Sequence, residues 1–193
     1  MALICTVGPV VEPVTLAEAK LHMRVDLADD DALILGLITA ARQHLEAMCR
    51  PQLAMLAQTW RLVLDAWPGG DLVELRPWPL RSVSSITYID TAGVTRTLAS
   101  TAYQVDTYSA PGRVYALNGW PSTTLRDMAG VTMEFVAGYG ETAATLPQPI
   151  RQALLLLVAH WYENREMAVV SGAMPKELPF TVSALMAPWR REV

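Results

Sequence analysis

The stretch that decides the fold is PQPIRQALLLLVAHWYEN, which runs from Pro147 to Asn164. Proline is tolerated in the first turn of a helix, where the amides have no intrahelical partner, so the two prolines indicate a helix start. At helical spacing one narrow stripe is polar and most of the remaining circumference is apolar. The stripe comprises Gln148, Gln152, Glu163 and Glu166, and the apolar positions include Ile150, Leu154, Leu156, Leu157, Val158 and Trp161. Such a helix has to be covered on several sides, by other helices, by a sheet or by a second copy of the chain.

The composition bounds the class of protein. The 193 residues suffice for one domain, or for one domain with a sizeable insertion. Hydrophobic residues make up 52% and charged residues 18%, against about 25% charged in an average soluble domain, so the chain has apolar surface to spare for partners. The net charge of −4, without a cluster of Lys and Arg interleaved with aromatic residues, argues against direct binding of DNA or RNA.

The two cysteines, Cys5 and Cys49, have no spacing typical of a metal site, and we interpret both as free thiols in a reducing compartment. The N-terminus lacks the features of a signal peptide, and no apolar stretch approaches the roughly 20 residues of a membrane span. We therefore expect a protein made in the cytoplasm, without a membrane partner.

Two helices are predicted before residue 51. Thr15 followed by Glu18 has the form of a capping box, which predicts a short first helix. The acidic run 26–31 is interpreted as the N-terminal cap of a second helix, not as a calcium loop. That helix is predicted to be amphipathic, with Arg42, Gln43 and Glu46 on its solvent-exposed face. Its buried face is predicted to consist of Ile34, Leu37, Ile38, Ala41, Leu45 and Met48.

From about residue 59 the apolar period changes from helical to alternating. Turns at 68–71 and 90–93 predict two hairpins, and further short strands are expected near 103–106, 113–117 and 131–136. Several short strands with Gly and Pro at their turns are typical of a small antiparallel barrel or sandwich.

These patterns together predict an α+β fold. A bundle of about four helices, built from residues 1–58 and 138–193, carries an inserted antiparallel β domain at residues 59–137. The last helix is predicted to begin near Pro179 and to end before Pro188, followed by a tail that contains Trp189, Arg190 and Arg191.

The sequence shows no pattern typical of an enzyme. His22, His44 and His160 are widely separated and no H-E-x-x-H motif occurs, and the serines at 82, 84 and 85 do not lie in a G-x-S-x-G turn. The G-x-G at 138–140 precedes the next helix by too many residues to bind a nucleotide phosphate there, so we interpret it as a turn. We predict no catalytic residue, no cofactor and no metal site.

Two other classes of function remain open on the residues alone. One is a monomeric module that binds a ligand or carbohydrate through its β domain, with an aromatic platform drawn from Trp60, Trp67, Trp78, Trp120 and Tyr108. Aromatic residues are more often part of the core or of turns. The other is a small hydrolase, which the missing triad disfavours.

Five stretches carry a resemblance to a known family through their order and spacing: 12–26, 76–90, 111–114, 135–140 and 146–166. They contain EPVTLAEAK at 12–20, RPWPLRSVSSITYID at 76–90, PGRV at 111–114 and FVAGYG at 135–140. Together they resemble the head-tail connector, or adaptor, proteins of long-tailed bacteriophages and of phage-derived gene transfer agents.

The resemblance implies a structural protein of the virion and not an enzyme. It implies a helical bundle with a β insertion that assembles as a ring, expected to be a dodecamer, at the head-tail junction. The ring would lie beneath the portal protein, prolong the DNA channel and present a surface to the stopper or tail-completion protein. DNA would only pass through, and the negative net charge suits such a channel, since a strongly basic lining would hold phosphates.

The resemblance gives the C-terminal segment its expected role, and the apolar circumference of the leucine-rich helix predicts contacts with neighbouring copies in the ring. The C-terminal segment is expected to reach the portal, through Phe180, Leu185, Met186, Trp189, Arg190 and Arg191. The leucine-rich helix is expected to pack in the ring, through Leu154, Leu155, Leu157, Val158, Trp161 and Tyr162.

Overall fold

Strands and helices separate into two units of the chain. The computed structural model describes residues 1–164 and 180–190. One unit, the sheet unit, comprises Met1–Val10 and Pro51–Tyr139, and the other, the helical unit, comprises Val11–Arg50 and the described residues from Gly140 onward. The sequence assigned residues 1–10 to the helical part as an extended arm. They lie in the sheet unit because Ala2–Val7 forms a strand there.

The sheet unit contains eight strands in two antiparallel sheets. The first sheet has the order β1-β2-β8-β4-β5 and the second the order β3-β7-β6. The strands are β1 Ala2–Val7, β2 Gln58–Leu64, β3 Leu72–Leu75, β4 Leu80–Ile89, β5 Thr95–Thr97, β6 Tyr103–Asp106, β7 Gly112–Ala116 and β8 Val131–Ala137. Both sheets are open, so the predicted antiparallel β domain is present but it is not a closed barrel.

One buried cluster joins the two sheets. Trp60 and Leu62 of β2, Met133 and Phe135 of β8, and Val114 of β7 all belong to it. Along β8 the residues alternate strictly between buried and half-buried, which is the period-2 pattern that the sequence shows for this segment. Burial of this cluster is therefore the main force that holds the sheets together.

The first predicted hairpin is wrong and the second is confirmed. β2 does not pair with β3: it lies between β1 and β8, whereas β3 pairs with β7. β2 and β3 contribute to the shared core from different sheets. β4 and β5 do pair across the turn at 90–93, where Asp90 Oδ1 accepts the amides of Ala92 and Val94 at 3.0 and 2.9 Å.

The glycines after β8 serve as a turn. Gly138 has φ +131°, a conformation that side chains disfavour, and a Cβ at this position would overlap the backbone carbonyl of Leu56. Its amide donates to Pro79 O at 2.8 Å. The interpretation of these glycines as turn residues is therefore supported by the local geometry.

The helical unit contains four α-helices among the described residues. They are α1 Leu16–Met23, α2 Asp31–Met48, α3 Gln148–Glu163 and α4 Phe180–Met186. α3 packs against α1, α2 and α4, so the PQPIRQALLLLVAHWYEN segment is the centre of this unit, and Pro149 lies in its first turn. Of its predicted polar stripe, Glu166 lies outside the described residues.

α2 buries the predicted apolar face, but it also buries two of the three residues that the sequence placed on the opposite face. Ile34, Ile38 and Leu45 are fully buried, as expected, but Arg42 and Glu46 are also buried, at 7% and 5% exposure. The sequence had placed these two on the solvent side because charged residues normally lie there. They can lie inside because each is paired with an opposite charge.

Candidate functional site

Arg42 is the centre of a buried ion-pair network in the helical unit. Its Nε donates to Glu12 Oε2 at 2.8 Å, and its Nη1 donates to Glu46 Oε2 at 3.1 Å. Thr39 Oγ1 donates to Glu12 Oε1 at 3.0 Å. Burial by itself lowers the pKa of Arg42, but the hydrogen bond to Glu12 and the charges of Glu46 and Glu12 outweigh it, so the pKa is raised. The network ties the segment before α1 to the side of α2.

The capping box at the start of α1 is confirmed and has a second role. Thr15 Oγ1 accepts the amide of Glu18 at 3.2 Å, and Glu18 Oε2 accepts the amide of Thr15 at 2.8 Å. The other carboxylate oxygen of Glu18 accepts a hydrogen bond from Arg151 of α3. The cap therefore also joins α1 to the central helix.

The acidic run before α2 is a connection point between helices. Asp30 occupies the N-cap position of α2 but makes no side-chain cap bond, so the capping interpretation is wrong for its side chain. Its carboxylate accepts the hydroxyl of Tyr162 at 2.6 Å instead, and Asp31 pairs with Lys20 of α1 at 2.6 Å. Side chains from α1 and α3 thus hold the α1–α2 connection in place.

The predicted ring-packing residues divide into two groups. Leu154, Leu157 and Val158 are buried inside the helical unit, at 0%, 0% and 1% exposure. Leu155, Trp161 and Tyr162 are half-buried, and Trp161 packs edge-on against His44 with ring centroids 5.7 Å apart. Only the second group keeps surface that a neighbouring molecule could reach.

The predicted portal-docking residues lie on both sides of α4. Phe180 is 86% exposed, and Arg190 is also exposed. Leu185 and Trp189 are half-buried, whereas Met186 is fully buried and anchors the helix together with Val182. Arg191 lies outside the described residues.

The aromatic residues considered for a carbohydrate platform are not gathered on one surface. Trp60 is buried at 8% exposure, and Trp67 stacks on Trp120 with ring centroids 4.9 Å apart. Trp78 donates from Nε1 to Pro51 O at 3.1 Å, and Tyr108 is 99% exposed on a loop. The positions of the four tryptophans are typical of core and turn packing, and Tyr108 lies apart from such packing.

Among the described residues, the ionisable side chains do not converge on a reaction centre. His22 and His44 lie on α1 and α2, and His160 Nδ1 is 3.3 Å from Asn164 Nδ2. Burial raises the pKa of the Cys49 thiol to about 11, which makes it a poor nucleophile. Within residues 1–164 and 180–190, no group of three His, Cys, Asp or Glu side chains could hold a metal ion. None of the helices in these ranges has both the length and the hydropathy needed to span a membrane.

One surface was missed by reasoning from the sequence. With Arg42 and Glu46 inside, about half of the circumference of α2 faces outward without a charged side chain. We call it the α2 outer face, and its exposed residues are Ala32, Leu33, Leu35, Gly36, Ala40, Gln43, His44 and Ala47. The signal was present in the sequence, since α2 contains only three charged residues, Asp31, Arg42 and Glu46.

The chain is similar to known proteins over its whole length. A family model for the phage gp6-like head-tail connector protein matches residues 13–75. A chain in the neck of an empty GTA particle, computed with C6 symmetry, is 30% identical and superposes with a TM-score of 0.83, covering 100% of this chain and 97% of the other. This chain belongs to the head-tail connector family.

Two further solved structures agree with this assignment. A chain in the virion of a native gene transfer agent (GTA) particle is 30% identical, with a TM-score of 0.82. A chain in the neck of a native GTA particle, computed with C12 symmetry, is 28% identical, with a TM-score of 0.81. Each alignment covers 100% of this chain and 97% of the other. No curated protein sequence matches. The family and its solved neighbours are structural neck proteins and not enzymes, and the resemblance inferred from the sequence is confirmed.

Proposed function

We propose that this connector forms a ring in the neck of a phage or gene transfer agent particle, between the portal protein and the stopper or tail-completion protein. The observation that carries the proposal is the likeness, over 100% of the chain, to a chain in a particle neck at 30% identity. Neck structures computed with C6 and C12 symmetry support a ring and suit the expected dodecamer.

In this proposal the C-terminal segment docks on the portal. Phe180 is 86% exposed on a helix whose other face is anchored by Val182 and Met186, so it is presented outward on a fixed support. Leu185, Trp189 and Arg190 also keep accessible surface, and an aromatic followed by an arginine is typical of interface anchors. Met186 contributes indirectly, because its buried side chain anchors α4 in the helical unit.

In the same ring, the half-buried Leu155, Trp161 and Tyr162 are the accessible part of the packing set on α3. Leu154, Leu157 and Val158 contribute to the core of the helical unit that supports them. DNA passes through the channel without specific contacts, in keeping with the net charge of −4.

Electron microscopy of particles purified from cells that produce this chain tests the proposal. The expected result is a ring of copies of the chain between portal and tail, with α4 against the portal. The proposal is overturned if the chain is absent from the neck, or if it is present there as a single copy. Finding α4 away from the portal would overturn the docking assignment alone.

A further inference from the structure

The α2 outer face is an exposed helix surface without charge. Exposed faces of helices in soluble proteins are normally lined by charged and polar residues. In α2, Asp31 is paired with Lys20 at the first turn, and the buried Arg42 pairs with both Glu12 and the buried Glu46. The outward positions carry Ala, Leu, Gly, Gln and His instead. The helix has therefore placed its central charges inside and its neutral residues outside.

The shape of the α2 outer face suits close contact with another element. The helix has 18 residues, which corresponds to a length of about 27 Å. Ala32, Gly36 and Ala40 follow one another at four-residue intervals along its middle, and a Cβ built on Gly36 would meet nothing within 4 Å. Leu33 and Leu35, at 39% and 48% exposure, stand on either side. A shallow groove of small residues between leucines lets a neighbouring backbone approach closely.

The chemistry of the face selects among the possible partners. Nucleic acid requires a cluster of Lys and Arg, and the α2 outer face has neither. A membrane surface requires large apolar side chains with basic ones beside them. A partner for this uncharged groove has to be a protein surface whose own apolar side chains enter the groove. This chain offers such side chains itself, because Leu21 and Leu27 are 82% and 72% exposed in the helical unit.

We propose that the α2 outer face is a lateral contact between neighbouring copies of this chain. The inference rests on the proposed ring and deepens it by naming one of its lateral surfaces. In a ring each subunit presents two different faces, so the α2 outer face of one copy meets another surface of the next copy. Contact with a second copy removes the exposed leucines of the α2 outer face from water. The contact does not break any of the ion pairs that Asp31, Arg42 and Glu46 make within the helical unit.

Photo-crosslinking from Gln43 in assembled particles tests the identity of the occupant. Gln43 lies within the α2 outer face, and a benzophenone amino acid replaces it in one variant. The control variant carries the same group at Tyr108, which is 99% exposed in the sheet unit. The expected result is an adduct of two copies of this chain from position 43, at least several times more abundant than from position 108.

The outcomes separate this inference from the proposed function. An adduct from position 43 to a different protein, or no adduct in particles whose neck contains the chain, overturns the α2 contact and leaves the ring standing. Absence of the chain from the neck overturns both.

A charge placed on the α2 outer face provides a second measurement. Ala40→Glu puts a carboxylate in the groove, where burial without a partner is costly, so the amount of chain per particle should fall at least roughly tenfold. Ala144→Glu, at an exposed position before α3, is the matched control and should leave the amount unchanged. Both variants should melt at the temperature of the original chain, since both positions are exposed in it. Normal incorporation of the Ala40→Glu chain overturns the inference.

Discussion

Arg42 is held inside the helical unit by Glu12 and Glu46, and its position determines which side of α2 faces outward. Its side chain is 8% exposed and that of Glu46 is 7% exposed. Desolvating charges costs several kcal/mol per ion, and only good geometry with both partners offsets that cost. The pairing distances of 2.8 and 3.1 Å meet this condition. One residue thus connects the folding of the unit with the surface that it presents.

We predict that Arg42→Ala destabilises the chain by about 3–5 kcal/mol, because Glu46 is left buried without its partner. The free energy of unfolding by urea measures the effect. Arg61→Ala is the control: it removes an ion pair with Glu134 whose side chains are 45% and 34% exposed, and should cost less than about 1 kcal/mol. Equal losses in the two variants would contradict the role assigned to Arg42.

At the scale of the elements, the charged side chains of α1 hold this helix in position. Glu18 caps the helix and accepts from Arg151 of α3, and Lys20 pairs with Asp31 of α2. An isolated helix of eight residues is too short to be stable in water, so these contacts, with the buried Ala19, keep it folded.

The cap of α1 leads to a prediction about pH. The backbone hydrogen bond from Thr15 lowers the pKa of Glu18 below its ordinary value of 4.5, with the Thr15 hydroxyl and Arg151 acting in the same direction against burial. Because the pKa is lower in the folded state, this stabilisation is fully present above pH 4.5 and is lost as the pH falls through the folded-state pKa. The melting temperatures of the original chain and of Glu18→Gln should therefore differ at pH 7 and converge towards pH 3.

A second variant checks the origin of that effect. Glu163→Gln removes one negative charge from an exposed position at the end of α3. The difference in melting temperature between Glu163→Gln and the original chain should not change with pH as the difference for Glu18→Gln does. If both differences shrank equally between pH 7 and pH 3, the effect would come from net charge and not from the cap of α1.

α4 contains one residue that is expected to affect docking and another that is expected to affect stability. Phe180 is 86% exposed and Val182 is fully buried, although they are two residues apart. We predict that Phe180→Ser changes the free energy of unfolding by less than about 0.5 kcal/mol but lowers the amount of the chain in particles. Val182→Ala should cost about 1–3 kcal/mol, because it removes buried methyl groups. Thermal unfolding and quantitative mass spectrometry of particles measure the two effects, and normal incorporation of Phe180→Ser would contradict the docking role.

At the scale of the whole molecule, charge is the property that matters for a channel. The net charge is −4, and many of the arginines are paired with carboxylates, as in Arg61–Glu134, Arg96–Asp90 and Arg113–Asp106. Paired arginines contribute little attraction for phosphate beyond the Debye length of about 10 Å at 0.1 M salt.

We therefore predict that the purified chain does not bind duplex DNA. In a gel-shift experiment at 0.1 M salt, micromolar protein should leave the mobility of a short duplex unchanged, because the net charge is −4 and many arginines of the described residues are paired with carboxylates. A known basic DNA-binding protein on the same duplex serves as the positive control. A shift that disappears with increasing salt would reveal a basic surface and contradict the proposed passive channel.

The sequence alone determined the features that depend on local order and periodicity. The capping box at Thr15 and Glu18, the prolines that start α3, the turn at 90–93 and the alternation along β8 all follow from chemistry within a few residues. The family also followed from the sequence, since motif order is a property of the chain itself.

Only the tertiary structure decided which elements meet. β2 pairs with β1 and β8 because strand partners are chosen by shared burial between distant segments, which a turn signal does not specify. Arg42 turns inward because Glu12, 30 residues away in sequence, compensates its charge. The neutral α2 outer face follows from that burial, because Arg42 and Glu46 pair inside the helical unit and leave no charged side chain at the outward positions.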